Sequence, residues 1–143
     1  MESLRKIFKP HSVESRIYRF LSKLNNFHYV TNTDCIVGLT IDNKIHIIGI
    51  YENNIGSINN SIIFTNSGII HNNNHDWICI SYSDILHMEA MPSKKDAISV
   101  RLFLSNNIEY NLPIMGHRGL NGRFRDVFDF MSLIVNINKD LIG

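Results

Sequence analysis

The sequence predicts an α+β protein, mainly β, with about seven antiparallel strands in a bent sheet, closed by a C-terminal helix and preceded by an N-terminal one. Three observations predict it. Residues 61–86, SIIFTNSGIIHNNNHDWICISYSDIL, read as strand, turn, strand, loop and strand. Short β-branched and aromatic runs recur from residue 35 to residue 114, separated by Asn-, Asp- and Gly-bearing turns. From Arg123 onward the apolar period changes from 2 to 3.6.

The chain has 143 residues, 44% of them hydrophobic, which suits one domain (1–143) with a core of its own. A net charge of +1 gives no electrostatic case for nucleic acid. Cys35 and Cys79 both fall inside strand patterns, where a thiol packs as a small hydrophobe. The start of the chain lacks an apolar signal region, and no apolar run approaches the roughly 18 residues of a membrane span. A cytoplasmic location is expected.

Ser12 is the expected N-cap of the first helix (12–26), with Glu14 in its first turn and Pro10 interrupting what precedes. Val13, Ile17, Phe20, Leu21 and Leu24 share one face; Arg16, Arg19 and Lys23 lie opposite. That basic back suits either a solvated face or contact with an anionic membrane. Asn25-Asn26 ends the helix.

Cys35–Ile41 and Ile45–Tyr51 are strand candidates joined at Asp42-Asn43-Lys44. A polar loop, 52–60, leads into Ser61–Thr65. There Asn66-Ser67-Gly68 is expected to supply a positive-φ hairpin residue, and Asn72-Asn73-Asn74 to end the next strand. From Trp77 to Tyr82, Ile78, Ile80 and Tyr82 alternate with Trp77, Cys79 and Ser81. Residues 86–91 are expected to extend that strand past a bend or bulge. Ala97–Leu104 and Ile108–Ile114 form a hairpin around Asn106-Asn107. A glycine-rich loop, MGHRGLNG, precedes the last helix, whose expected apolar face is Phe124, Val127, Phe128, Met131, Ile134 and Val135.

This order resembles a pleckstrin-homology-like barrel over residues 35–138. Phe64-Thr65-Asn66-Ser67-Gly68-Ile69-Ile70 is similar to the "lTdkGIy" hairpin of the bacterial and GRAM-like members, and Ile80-Ser81-Tyr82-Ser83-Asp84-Ile85 to their "I-x-Y-x-D-I" strand end. The resemblance implies a barrel capped by Phe124–Val135 and a role in binding lipid, binding peptide or scaffolding. Phosphoinositide-binding members carry several cations in the first hairpin loop, whereas Asp42-Asn43-Lys44 has one Lys beside an Asp.

Candidate chemistry is sparse. His71 and His75, near Asp76, Cys79 and His87, have the residue types of a zinc site. However, an i, i+4 pair converges on one metal only on a helix, and Asn72-Asn73-Asn74 argues for a loop. Nothing in the sequence lowers the Cys79 pKa toward a nucleophile, and nucleophile-elbow, phosphate-loop and dinucleotide motifs are absent. No enzyme, metal or cofactor is expected. The candidate site is the loop before the last helix, where His117, Arg118, Arg123 and Arg125 gather among glycines and could meet an anion or an acidic partner.

The expected function is a non-catalytic module that binds another protein, as an adaptor or an immunity-type protein, through a strand edge or the groove beside the last helix. The alternative is a peripheral module that contacts anionic lipid through the basic N-terminal helix and Lys94-Lys95. A small ligand inside the barrel is a third reading. If folding needs neither metal nor disulfide, excess chelator with reductant leaves thermal unfolding unaltered. A large loss of stability in chelator would promote His71, His75 and Cys79 to ligands.

Overall fold

The computed structural model describes residues 7–30, 43–93, 96–116 and 122–142. The strand candidate Cys35–Ile41 lies outside them. Helix α1 spans Pro10–Leu21, then come β1 (Phe27–Tyr29), β2 (Ile47–Tyr51), β3 (Ile62–Thr65), β4 (Gly68–Asn73) and β5 (Asp76–Ser81). A 3₁₀ turn, Tyr82–Asp84, leads to β6 (Ile85–Met91), β7 (Ser99–Leu104) and β8 (Glu109–Pro113). Helix α2 (Gly122–Ile137) follows, ending in a π turn at Asn138–Ile142. The eight strands form two antiparallel sheets, β1-β2-β3-β4-β5 and β6-β7-β8. No closed barrel is seen among the described residues.

Helix α1 starts two residues earlier than expected. Lys9 is its N-cap, with no side-chain cap bond, and Pro10 opens the first turn. Proline is at home there because its missing N–H has no partner in any helix, so Pro10 begins the helix instead of interrupting what precedes it. The helix also stops earlier, at Leu21, although Leu24 remains buried in the following turn. Val13, Ile17 and Leu21 are buried, and α1 packs against α2, so this helix docks on its own chain.

The three inner strands of the larger sheet are buried on both faces over nearly their whole length, and are mostly apolar, as strands covered on both sides tend to be. Ile48, Tyr51, Ile62, Phe64, Ile69 and Ile80 join the main core with α1, α2 and the smaller sheet. Ile47, Ile50, Ile63 and Ile70 form a second cluster, with Val30, Trp77 and Cys79 at its rim. A bulge between Ile47 and Gly49 explains how Ile48 and Ile50, two apart, reach different clusters. A row of edge-to-face rings crosses the main core: Tyr29–Phe27 at 5.3 Å, Phe27–Phe64 at 6.0 Å and Phe64–Phe130 at 6.1 Å.

Four local expectations change. Gly68 does not have positive φ; its role is close approach, since a Cβ there would overlap the Ile80 carbonyl oxygen. The Thr65 hydroxyl holds that turn, accepting from the Ser67 and Gly68 N–H groups at 3.1 and 3.0 Å. Strand β4 runs on through Asn73, and Asn74-His75, both at positive φ (52° and 74°), form the two-residue turn to β5. Residues 85–91 do not extend β5: the 3₁₀ turn makes a corner, and β6 opens the second sheet. Phe128 and Val135 are exposed, because α2 instead buries Asp126, Val127, Phe130, Leu133, Ile134 and Ile137.

Phe128→Ala should therefore shift stability by no more than about 0.5 kcal/mol. Phe130→Ala removes a ring that is 2% exposed and should cost about 3–5 kcal/mol. Urea unfolding of both variants checks the direction of the α2 face; equal losses would contradict it.

Candidate functional site

The loop that the sequence nominates is described only at its margins. His117 and Arg118 lie outside the described residues, as does the Arg123 side chain. Arg125 is exposed on α2 and pairs with Asp129 one turn on, Nε to Oδ2 at 3.7 Å. Partial burial holds the Asp129 carboxyl above its ordinary range despite the attraction of Arg125 and Lys23.

At the base of that loop, polar side chains form a connected path across the end of the two sheets. Gly116, at φ 68°, donates its N–H to the Tyr51 hydroxyl at 2.9 Å, and that hydroxyl donates to buried Asp126 Oδ2 at 2.5 Å. Burial, and then the negative Asp126, push the Tyr51 phenol far above its usual value. Next to Gly116, the Met115 N–H donates to Asn53 Oδ1 at 2.7 Å. Asn53 Nδ2 donates in turn to the carbonyls of Asn60 (2.7 Å) and Pro113 (2.8 Å). Its donors and its acceptor are thus satisfied, as a buried amide requires.

Asn60 turns the chain at φ 60° and carries the path to His71. His71 Nε2 lies 2.7 Å from Asn60 Oδ1, and Nδ1 lies 2.5 Å from the Tyr110 hydroxyl. The arrangement fixes the tautomer: Nε2 carries the proton and donates to the Asn60 carbonyl, while Nδ1 accepts from Tyr110. Because His71 is on β4 and Tyr110 on β8, this bond ties one sheet to the other. Burial lowers the His71 pKa to about 4 and raises that of Tyr110 to about 12, the latter opposed by a hydrogen bond from Asn73.

A neutral imidazole with both nitrogens engaged is a poor general base, and Tyr110 holds its proton at neutral pH. Cys79 belongs to the second cluster with Trp77, whereas His71 sits across from Ile62, a residue of the main core. Cys79 and His71 therefore lie on opposite faces of the sheet and make no nucleophile–base pair. Among the described residues, no three His, Cys, Asp or Glu side chains group as metal ligands; His75 stands in the exposed β4–β5 turn. The path acts as a structural tie. Nothing in the sequence marks Asn53 and Asn60, two among many asparagines in a polar stretch. Pairing of Tyr51 with Asp126 across 75 residues is equally invisible there.

No protein-family model, curated protein or solved structure matches this chain.

The His71 pKa implies a pH dependence. Folded, the imidazole falls from its ordinary 6.5 to about 4, so the unfolded chain binds more protons between those values. The contribution of His71 to stability is complete above pH 6.5, declines as pH falls and levels off below about pH 4. Urea titrations at pH 7.0 and 4.5 should reveal a loss of about 2 kcal/mol that shrinks in His71→Gln. Tyr110→Phe, which strands a buried Nδ1, should cost about 1–3 kcal/mol at pH 7. An identical pH slope in His71→Gln would contradict the assignment.

Proposed function

We propose that this chain is a non-catalytic protein-binding module that holds its partner along the outer face of α2. The observation that carries this reading is Phe128 and Val135, seven residues apart on one face of α2 and each 56% exposed. Half-buried Met131 lies between them. Large apolar side chains in register on an otherwise well-buried helix suit a partner surface. Helix α2 packs on β6, which is an edge strand among the described residues and whose Leu86 is also exposed, so strand addition is a second mode that suits this side. The finer architecture we favour is pleckstrin-homology-like: strands, a corner, three further strands and a capping helix follow that order.

The alternatives draw less support. A lipid-binding module would use the basic back of α1 and Lys94-Lys95; the two lysines lie outside the described residues, and on α1 Arg16 is engaged, donating to the Ser12 carbonyl at 2.7 Å and to Asp140 Oδ2 at 3.4 Å. Among the described residues, no helix is long and apolar enough to cross a membrane. A ligand inside the core would need space, and the gap lined by Leu21, Leu24, Tyr51, Phe64 and Phe130 has no room for a water molecule.

A photo-cross-linking amino acid at position 128, introduced in the producing cells, should yield one dominant protein adduct. The same probe at Asn107, in the exposed β7–β8 turn, should not. Phe128→Glu should keep the wild-type melting curve and lose the captured protein. Equal labelling at both positions, or capture that survives Phe128→Glu, would overturn the α2 surface.

A further inference from the structure

A groove of about 460 Å³ lies between α1 and β1 and shares no lining residue with the polar tie or the outer face of α2. His11, Glu14, Ser15 and Tyr18 line it from one face of α1, and Tyr29 from the end of β1. The groove is open along one side, so an occupant would lie in it with part of its surface in water. Tyr18 is 66% and Tyr29 37% exposed, so two large aromatic side chains are held at the surface. Tyr29 is fixed there by its edge-to-face contact with Phe27, whose ring is itself wedged over Gly49.

The lining is mainly apolar, with one carboxylate, three hydroxyls and the His11 imidazole as its polar groups, and among the described residues it carries no Lys or Arg. Glu14 has no ion-pair partner among the described residues. Its field reaches the groove: together with burial, Glu14 and Tyr18 raise the Tyr29 phenol pKa. The Glu14 carboxylate, beside two aromatic rings, three hydroxyls and the His11 imidazole, is complementary to a flat, multiply donating cation. A guanidinium offers five N–H donors and stacks on aromatic faces. A quaternary ammonium would leave the hydroxyl and carboxylate acceptors without hydrogen bonds.

We propose that the α1–β1 groove is a binding site for an arginine side chain presented by a protein partner, with Glu14 accepting from the guanidinium and Tyr18 and Tyr29 flanking it. The protein source of that arginine rests on the protein-binding reading; the groove's preference for guanidinium does not. A small probe therefore tests the groove separately.

N-acetyl-arginine methylamide, titrated into the ¹⁵N-labelled chain, should produce saturable shifts at the amides of Glu14, Ser15, Tyr18 and Tyr29. Both side chains under test are exposed, so Glu14→Gln and Tyr18→Ala should fold normally and each weaken the probe about three- to fivefold. N-acetyl-glutamate methylamide should give no saturable shift, and phosphocholine should bind more weakly than the arginine probe. Absent saturation, binding unaffected by both substitutions, or equal binding of phosphocholine would overturn the proposal. None of these outcomes bears on cross-linking at position 128, so failure of the groove and failure of the α2 surface are distinguishable.

Discussion

Burial of β3 on both faces is the constraint on which the rest of the structure depends. All four of its residues are inaccessible, with Ile62 and Phe64 in one cluster and Ile63 in the other. A slip of one residue against β2 or β4 would exchange the clusters and force the larger ring into the smaller space. The register is held tightly at the turn as well, where Gly68 lies so close to Ile80 and Ser81 that only a glycine fits. Tyr82 adds a hydrogen bond at the same end, its buried hydroxyl donating to the Thr65 carbonyl at 2.7 Å.

That register determines where polarity can sit. Pairing Ile62 with His71 brings an imidazole to the inner side of β4, at the end where β8 supplies Tyr110. Buried polar groups there would be costly alone, and each is offset by a partner: Asn60 and Tyr110 for His71, Tyr51 for Asp126, two carbonyls and an amide for Asn53. The opposite corner is pinned by Asn66, which donates to the Phe8 carbonyl and accepts from the His46 N–H, both at 2.8 Å. This joins the approach to α1 to the β3–β4 turn. The interior of the described residues is thus committed to packing and to these ties; the surfaces proposed above, on α2 and at the α1–β1 groove, lie outside it.

Much of this was legible in the sequence wherever a pattern is local. The change of period at the last helix, the Asn106-Asn107 hairpin and the alternation of Ile78 and Ile80 with Trp77 and Cys79 all come from neighbouring residues. What escaped was decided at a distance. Strand β1 has three residues, too few for a periodic signal, and is defined by pairing with β2. The choice between Phe128 and Phe130 as the buried ring depends on where α1 and the sheets meet α2, since the helix is apolar over a broad arc. Pro10 reads as a break when taken alone and as a helix start once the buried face beginning at Val13 is known. The polar tie escaped for a similar reason, because its members come from four separate stretches of chain.

Native-state hydrogen exchange tests most directly the central claim, that the core is filled and its register fixed by β3. The amides of Ile63 and Phe64 should exchange only through global unfolding, with an opening free energy equal to that from urea denaturation and the same denaturant slope. Exchange of these amides through a smaller, denaturant-independent opening would mean that the two clusters separate in the native state, which would contradict the account.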